Sequence, residues 1–367
     1  MTVALLQAIG CALSLLGLET SQVEPDESVI IFPAIGTPAK GGGGWDVEIH
    51  GWILEREESS TSRQAIVGLL RGAIGAGDDI AEKERLEKRL GPFLADNERG
   101  KVVKLKLCGK SKEMEESEAD GHFRGTMALT DEEARREVER PGAADGSVRI
   151  EVVLPDGDGR AFRGRAQLVP EEGVSVVSDI DDTIKVSDVL DRKLLLRNTF
   201  LKDFKAVDGM ARLYQAWAKK GAVFHYVTGS PWQLYEPLDT FLESARFPSG
   251  TFHMRSFRLK DSSLFEIFAA PVDHKRRQID PLIEKFPKRR FILVGDSGEK
   301  DPEIYGAVAR KFPDSVLAIF IRDVTKEGAK SARIEKAFEG VPGSIWRVFR
   351  DSSELSDAES LFTVKSR

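Results

Sequence analysis

The hydrophobic pattern in the first half of the chain is that of short strands. Residues 46–54 alternate polar and apolar side chains with a period of two, which is typical of a half-buried strand. Between Arg63 and Leu94 the apolar spacing becomes helical, with a break at Gly75-Ala76-Gly77, which indicates an inserted helical hairpin. Further apolar runs separated by Gly, Pro or Asp predict strands at 29–33, 102–107, 122–129, 148–154 and 162–169. Strands that follow one another without helices predict a β-rich, sandwich-like domain over residues 29–170, with this helical insertion.

From Val174 onward, strands alternate with helices. Such alternation is typical of a parallel sheet with crossover helices on both faces, so the expected fold class of residues 171–350 is α/β, a three-layer parallel sheet. Residues 1–28 are expected to be an apolar segment and linker, and residues 351–367 a C-terminal tail. The predicted strands are 174–178, 222–227, 252–257, 291–294 and 316–321, and the predicted helices include 209–219, 233–244, 274–286 and 302–312.

Composition and charge narrow the classes of protein. The chain has 367 residues, of which 41% are apolar and 31% charged, which is enough for two globular cores and excludes wholesale disorder. The formal net charge of −6 argues against a nucleic-acid-binding protein, which would carry a basic surplus. Its two cysteines, Cys11 and Cys108, provide neither a disulfide framework nor metal-ligand spacing.

The apolar run Met1–Leu18 has three interpretations: a poorly ordered extension, an export signal or a membrane span. It contains no basic residue near its start and no obvious small-x-small cleavage site, so a poorly ordered extension is favoured over an export signal. As a membrane span it would be at the short limit of length. We therefore expect a location in the cytoplasm or at a membrane periphery, and export if residues 1–18 are a signal.

Aspartates follow the predicted strand 174–178 directly. Asp179, Asp181 and Asp182 stand where an apolar core could not solvate them. In a parallel sheet the carboxyl ends of the strands open onto the ligand crevice, where a metal or a phosphate would meet these groups. One carboxylate can act as a nucleophile on phosphorus while a second does acid–base work. The alternative is an acidic turn that caps a helix.

Two other predicted strand ends carry polar groups suited to phosphate. Residues 222–227 run into Thr228-Gly229-Ser230-Pro231, which offers hydroxyls and backbone N–H groups to phosphate oxygens, although such a turn often only caps a helix. The strand 291–294 runs into an acidic loop over residues 295–301. The same edge of the predicted sheet therefore gathers carboxylates and hydroxyls.

The Asp179-x-Asp181-x-Thr183 pattern resembles that of the haloacid-dehalogenase-like (HAD-like) phosphatases, whose fold is Rossmann-like. The resemblance implies that Asp179 attacks phosphorus and becomes an aspartyl phosphate. It implies that Asp181 protonates the leaving oxygen and later activates water. Thr228 matches the superfamily's Ser/Thr position, and Lys275 matches its lysine, which would offset charge on the nucleophile and the phosphoryl group.

The resemblance also implies Mg²⁺ as the cofactor. The Gly295-Asp296-x-x-x-x-Asp301 loop is similar to the superfamily's magnesium-binding signature. Hard oxygen ligands suit Mg²⁺, and the ion would neutralise the acidic cluster so that a phosphate dianion can approach. The expected ligands are Asp179, the backbone carbonyl of Asp181, and Asp296, with Asp301 or Glu299 supporting; substrate contacts are expected from Thr183, Gly229, Ser230 and Trp232.

A closer resemblance lies between these motifs. The blocks Ser230-Pro-Trp-Gln-Leu-Tyr235 and Gly295-Asp-Ser-Gly-Glu-Lys-Asp-Pro-Glu-Ile-Tyr305 are similar to the catalytic domain of the actin-patch-type phosphatidate phosphatases, approximately over residues 174–325. That family is similar in having a β-rich region upstream. The resemblance implies magnesium-dependent hydrolysis of phosphatidate to diacylglycerol and phosphate. It implies an anionic lipid as substrate and peripheral contact with a membrane.

The residues themselves support a lipid substrate less strongly than the family resemblance does. Aromatic and basic side chains could line a mouth that grips a head group beside acyl chains, or could simply pack and be solvated. A HAD-like phosphatase of a soluble phosphomonoester stays an alternative, as does a non-catalytic scaffold whose β-rich domain recruits a partner. Intact Asp179, Asp181, Lys275 and Asp296 favour catalysis. The mouth residues considered are Trp232, Tyr235, Arg255, Phe257, Arg258 and Lys260.

Overall fold

The computed structural model describes residues 19–55, 79–140, 146–257 and 273–363, together with separate positions between 67 and 77. The chain divides into two compact units, one of residues 1–58 and 95–169 and the other of residues 59–94 and 170–367. Within the described ranges no helix has both the length and the apolar character needed to cross a membrane. The expectations for residues 1–18, and for Arg258 and Lys260, lie outside the described residues.

The first unit is β-rich, and the elements of the first half of the chain are mostly strands. All six predicted strands coincide with observed ones to within two residues at each end. The strands are β1 Glu27–Ile31, β2 Ala34–Pro38, β3 Gly44–Glu55, β4 Asp96–Asn97, β5 Lys104–Leu107, β6 Lys110–Glu113, β7 His122–Thr130, β8 Ser147–Val152 and β9 Arg163–Leu168; the helices are α1 Ile80–Leu94 and α2 Asp131–Val138.

The twelve-residue strand β3 organises the first unit. It pairs antiparallel with β7, and also with β2 through its first half and β1 through its second. Its inward side chains Val47, Ile49 and Ile53 belong to one hydrophobic core with Val148 and Ile150 of β8. The strands join in one hydrogen-bonded network, in the order β1-β3-β2-β9-β8-β5-β6 with β4 and β7 on β3. The separate pair of sheets of a sandwich stays a prediction.

The second unit contains a parallel sheet of six strands, which confirms the mixed α/β class. The spatial order is β12-β11-β10-β13-β14-β15, and each neighbouring pair is parallel. The order reverses between β10 and β13, and ligands of open α/β sheets bind in the crevice at such a switch point. The strands are β10 Gly173–Ser178, β11 Val223–Pro231, β12 Gly250–Arg255, β13 Arg289–Asp296, β14 Val316–Arg322 and β15 Trp346–Phe349.

Helices connect these strands. Ser352–Thr363, expected to be a tail, forms a 3-10 helix whose Leu355 side chain is fully buried. A second 3-10 helix, Trp232–Leu234, follows β11. The α-helices of the second unit after residue 170 are α3 Arg192–Phe200, α4 Met210–Lys219, α5 Tyr235–Ser244, α6 His274–Lys285, α7 Asp301–Lys311 and α8 Ala332–Ala337.

Helix α1 belongs to the second unit, although the sequence placed it as an insertion in the β-rich domain. The Arg89 guanidinium donates hydrogen bonds to the carbonyl oxygens of Thr199 and Lys202, at 2.6 and 2.7 Å. The Phe93 ring packs edge-on against Phe200 and Phe257. These contacts explain why α1 belongs to the second unit, because they satisfy one carbonyl at the end of α3 and one just beyond it, and bury the apolar face of α1.

Candidate active site

The candidate active site lies where β10 and β13 end side by side. Asp179 follows β10 directly, and its backbone N–H donates to the Val294 carbonyl of β13 at 2.9 Å. Asp296 ends β13, and both aspartates are fully buried. Carboxylate oxygens of Asp179, Asp296 and Glu299 lie within 4.8 Å of one another. The switch point of the sheet is thus occupied by a compact group of acids.

Lys275 supplies the positive charge of this group. It stands in the first turn of α6, and its Nζ lies 2.9 Å from Asp179 Oδ1, 2.9 Å from Glu299 Oε2 and 2.5 Å from Asp301 Oδ1. Burial alone would lower the pKa of Lys275, but Asp179, Asp301 and Glu299 raise it well above its usual value. The ammonium therefore stays charged among the carboxylates.

The single positive charge of Lys275 does not balance the charge that the four neighbouring carboxyl groups would carry if all were ionised. Burial raises the pKa of Asp179 well above its ordinary range; Asp301, Glu299 and Asp296 add to the rise, while Lys275 opposes it. Burial likewise raises the pKa of Asp296, with Asp301 and Glu299 adding to it. Repulsion among closely spaced carboxylates is relieved by protons or by a cation.

Two buried oxygens of the group fit a metal ion. Among the residues that the structure describes, none donates a hydrogen bond to Asp296 Oδ2, and Asp179 Oδ1 is contacted by Lys275 as an ion pair. Buried carboxylate oxygens normally find donors, and hard oxygen atoms such as these are suitable ligands for a divalent cation. The donor set is Asp179, Asp296 and Glu299.

Asp301 and Glu299, the two alternatives for the supporting ligand, have different surroundings. Its Oδ1 contacts Lys275, and its Oδ2 accepts the backbone N–H of Asp296 at 3.2 Å. Both oxygens are thus used within the protein, and Glu299 rather than Asp301 joins Asp179 and Asp296. Gly295 makes room for this carboxylate, since a Cβ there would lie 2.3 Å from Asp301 Oδ2.

The Asp181 carboxylate forms a second polar group, apart from the metal-ligand set. Its Oδ1 contacts Lys185 Nζ and Ser187 Oγ, both at 2.7 Å. Its Oδ2 accepts from the hydroxyls of Ser230 at 3.2 Å and Thr228 at 3.4 Å. Burial would raise the pKa of Asp181, but the ion pair with Lys185 and these hydrogen bonds outweigh burial and lower it.

Asp182 holds the loop that follows. It has a positive φ of 54°, and its carboxylate accepts the backbone N–H groups of Ser187, Asp188 and Val189 at 2.8, 3.0 and 2.6 Å. Asp tolerates the left-handed conformation because its short side chain can bond locally. Asp182 thus shapes the loop, and its carboxylate belongs to neither of the two groups above.

The other predicted residues divide between the site and the packing around it. Thr183 Oγ1 donates to Asp179 Oδ2 at 3.0 Å and so orients that carboxylate. The Gly229 carbonyl accepts from Arg255 Nε at 3.3 Å. Trp232, Tyr235 and Phe257 are all buried, which favours the packing interpretation of these aromatic residues over an open mouth.

Sequence reasoning did not single out Lys185, Ser187 or His274. Lys185 and Ser187 contact the Asp181 carboxylate directly, and His274 Nε2 lies 3.3 Å from the Thr228 carbonyl. The available signal was their spacing from the motif: Lys185 comes four residues after Asp181, and His274 directly precedes Lys275. A lysine at that spacing is more often a solvated residue, so spacing alone was insufficient.

The segment that contains this site is similar to known proteins. Residues 174–323 match the family model described as "Phosphatidate phosphatase APP1, catalytic domain". Phosphatidate phosphatase APP1 of Saccharomyces cerevisiae is 37% identical over 161 residues, 43% of this chain and 27% of that protein. An uncharacterized protein of Schizosaccharomyces pombe is 30% identical over 172 residues, 46% of this chain and 28% of its own length. The match thus spans less than a third of either relative.

A solved structure is more distantly similar. It is described as a "putative had-like phosphatase" from Mesorhizobium loti and has a TM-score of 0.36 and 15% identity, covering 53% of this chain and 88% of that one.

The site lies in a segment of the second unit that is similar to a phosphatase catalytic domain. Residues 174–323 are similar to the catalytic domain of phosphatidate phosphatase APP1, which confirms the resemblance in the sequence. The site residues lie within this segment, from Asp179 to Asp301.

Proposed function

We propose that this protein is a magnesium-dependent phosphatidate phosphatase, which hydrolyses phosphatidate to diacylglycerol and phosphate through an aspartyl phosphate on Asp179. The observation that carries the proposal is the convergence of separate loops on that carboxylate. Lys275 Nζ lies 2.9 Å away, Thr183 donates to the other oxygen, and ligand atoms of Asp296 and Glu299 are nearby.

In the first step, an Asp179 oxygen attacks phosphorus, and the bond between phosphorus and the glycerol oxygen breaks. Thr183 fixes the carboxylate, and the charged Lys275 reduces repulsion between it and the incoming dianion. The leaving alkoxide takes a proton from Asp181 and departs as diacylglycerol.

Asp181 must carry a proton for that step, while Lys185 favours its ionised form in the protein alone. A phosphate dianion in the site places negative charge beside Asp181 and so raises its pKa, which favours uptake of the proton. In the second step Asp181 takes a proton from water, whose oxygen attacks phosphorus. Inorganic phosphate leaves, the Asp179 carboxylate is restored, and Asp181 is again protonated.

The donor set of Asp179, Asp296 and Glu299 would hold the Mg²⁺ ion, with the Asp181 carbonyl as a further proposed ligand. Bound there, the ion would neutralise the acidic cluster and stabilise charge on the phosphoryl oxygens. Thr228, Gly229 and Ser230 stay the proposed phosphate contacts at the end of β11. Trp232 is proposed only as support for that turn, because its ring is buried.

Phosphate release from several substrates tests this function. Wild-type protein is given dispersed phosphatidate, lysophosphatidate, diacylglycerol pyrophosphate or soluble sugar phosphates, each with Mg²⁺ or with EDTA. We expect release from phosphatidate with Mg²⁺ and none with EDTA. Equal release from sugar phosphates, independent of acyl chains, would favour a soluble phosphomonoester instead. Absence of release from every substrate would favour a scaffold.

A further inference from the structure

Exposed apolar side chains concentrate beside the candidate active site. In the part of the chain that the structure describes, four large hydrophobic residues are exposed: Ile80 at 72%, Leu190 at 62%, Leu194 at 43% and Val186 at 37%. Three of them fall between residues 186 and 194. Ile80 begins α1, whose Glu82 pairs with Arg197 of α3 and with Lys202 just beyond that helix. Scattered surface hydrophobics need no explanation, but a local group marks an interaction surface.

This surface is tied to the catalytic groups. Val186 stands between Lys185 and Ser187, both of which lie 2.7 Å from the Asp181 carboxylate. Val189 packs on the acidic loop, since a Cβ on Gly298 would lie 2.6 Å from Val189 Cγ2. The exposed loop therefore borders the groups that would act on the substrate. Its backbone is fixed by the Asp182 carboxylate described above.

The charge around these apolar residues is positive. Arg192 and Lys193 are exposed in the first turn of α3, and the exposed Lys205 lies beside Val186, whose N–H donates to the Lys205 carbonyl at 2.8 Å. Residues 186–205 contain five basic and three acidic side chains, a net charge of +2 in a chain of net charge −6.

The three acids in this stretch are used locally. Asp188 accepts from Asn198, Asp191 caps the N-terminus of α3, and Asp203 pairs with Arg85. Asp203 is thus compensated by Arg85, and Glu82 pairs with both Arg197 and Lys202. Next to the apolar group this leaves Arg192, Lys193 and Lys205 against Asp188 and Asp191, a small positive excess. An apolar group flanked by Lys and Arg matches the acyl boundary and headgroups of an anionic bilayer.

We propose that the rim patch, defined as Val186, Leu190, Leu194, Arg192, Lys193 and Lys205, docks this protein on an anionic lipid bilayer. The apolar side chains enter the interface, and the basic ones contact the headgroups. The inference rests on the proposed function in one respect: it supplies the surface through which the active site would meet a lipid without extracting it into water. The docking itself requires no catalysis.

Vesicle sedimentation with full-length protein tests the rim patch. The vesicles are phosphatidylcholine alone or phosphatidylcholine with phosphatidylserine, and they contain no phosphatidate. Two double variants are compared with wild type: Leu190→Ser with Leu194→Ser, and Arg192→Glu with Lys193→Glu. The matched control is Lys219→Glu with Lys220→Glu, exposed residues where α4 ends, shortly before the amino-terminal end of β11.

We expect wild type and the control to bind the phosphatidylserine vesicles alike, and both rim-patch variants to bind about tenfold more weakly or worse. Binding by wild type should also weaken as salt rises, because the basic side chains are exposed. Thermal melts of every variant check that the fold is intact, and the two independent double variants guard against misfolding of either one.

Undiminished binding by both rim-patch variants, or no binding of wild type to phosphatidylserine vesicles, would overturn the docking proposal. Phosphate release by wild type from phosphatidate in detergent micelles is measured in parallel. Its absence would overturn the proposed function and leave the docking result standing. Release of phosphate from micelles without any vesicle binding would overturn the docking proposal and leave the proposed function standing.

Discussion

Lys275 meets three carboxylates, and the pKa values of Asp179 and Asp296 are raised by their burial and by their acidic neighbours. The protein alone thus holds excess negative charge at the point where a phosphate dianion would have to enter. An acidic cluster without a cation costs folding free energy. The position of the proposed nucleophile among these acids is therefore explained by its function and not by the stability of the fold.

Asp179→Asn tests whether this carboxylate serves catalysis and not the stability of the fold. We expect phosphate release to fall to background because the amide is a poor nucleophile. The midpoint of thermal unfolding should stay the same or rise, because one charge leaves the cluster. Asp314→Asn, an exposed aspartate of the same unit, is the control and should change neither quantity. Turnover retained in the Asp179 variant would remove this residue as the nucleophile.

Lys185→Met tests the partner of Asp181. Removing a buried ammonium leaves an uncompensated carboxylate, so the free energy of unfolding at neutral pH should fall by roughly 3–5 kcal/mol. The pKa of Asp181 should rise, since the ion pair that lowers it is lost. Because Asp181 must be protonated in the first step, the alkaline limb of the rate profile should move to higher pH.

Urea unfolding and the dependence of phosphate release on pH measure these effects. Lys219→Met, an exposed lysine, serves as the control. An unshifted alkaline limb in the Lys185 variant would show that Asp181 is not the acid that this limb reports.

At the scale of elements, α1 connects the packing of the second unit to its chemistry. Arg89 donates to the Thr199 carbonyl of α3 and to the Lys202 carbonyl just beyond it, and its guanidinium lies 3.8 Å from the centre of the Phe204 ring. Helix α3 directly follows the loop that Asp182 holds. The position of this loop therefore depends on a helix from a distant part of the sequence.

Arg89→Met should lower the free energy of unfolding of the second unit by roughly 2 kcal/mol or more, because two charge-assisted hydrogen bonds are lost. Lys88→Met, an exposed neighbour on the same helix, should cost little. Urea unfolding followed by tryptophan fluorescence compares the two variants. Equal midpoints would mean that α1 contributes no stability through this contact.

Sequence reasoning predicted elements better than it predicted their partners. The strands that carry the site, β10, β11 and β13, have near-continuous apolar runs and were found because their pattern is local. β15 and the short strands β2, β4 and β6 were missed, since they are brief or partly polar. The docking of α1 on α3 was missed because it joins residues more than a hundred positions apart.

The candidate site shows the same division. Asp179, Lys275 and Asp296 were found because they recur at strand ends and helix starts in a recognisable order. The sequence left Asp301 and Glu299 as alternatives for the supporting ligand, because their different surroundings depend on side-chain geometry that spacing does not contain.

At the scale of the whole molecule, cation binding should be coupled to stability and pH. A carboxyl whose pKa is raised by folding stabilises the protein below its unfolded pKa, and this contribution is lost as pH rises through the raised value. Asp179 and Asp296 are of this kind, so the protein without a cation should lose stability toward neutral and alkaline pH. Mg²⁺ binds the ionised form and opposes this loss.

The rise in thermal midpoint on adding Mg²⁺ in place of EDTA should accordingly be larger at about pH 8 than at about pH 5.5. Scanning fluorimetry at both pH values measures it. Asp296→Asn should reduce the gain at the higher pH, because a ligand is lost. An equal gain at both values would contradict coupling between the cation and these carboxyls.

The second unit is discontinuous in sequence, since residues 59–94 belong with 170–367. An expression fragment cut at residue 170, or trimmed to the family match at 174–323, would omit α1. Phe200 and Phe257 would then lose the aromatic ring that covers them. We expect such fragments to be prone to aggregation and poorly soluble. A chimaera or minimal enzyme built from this protein should therefore keep residues 59–94 covalently attached.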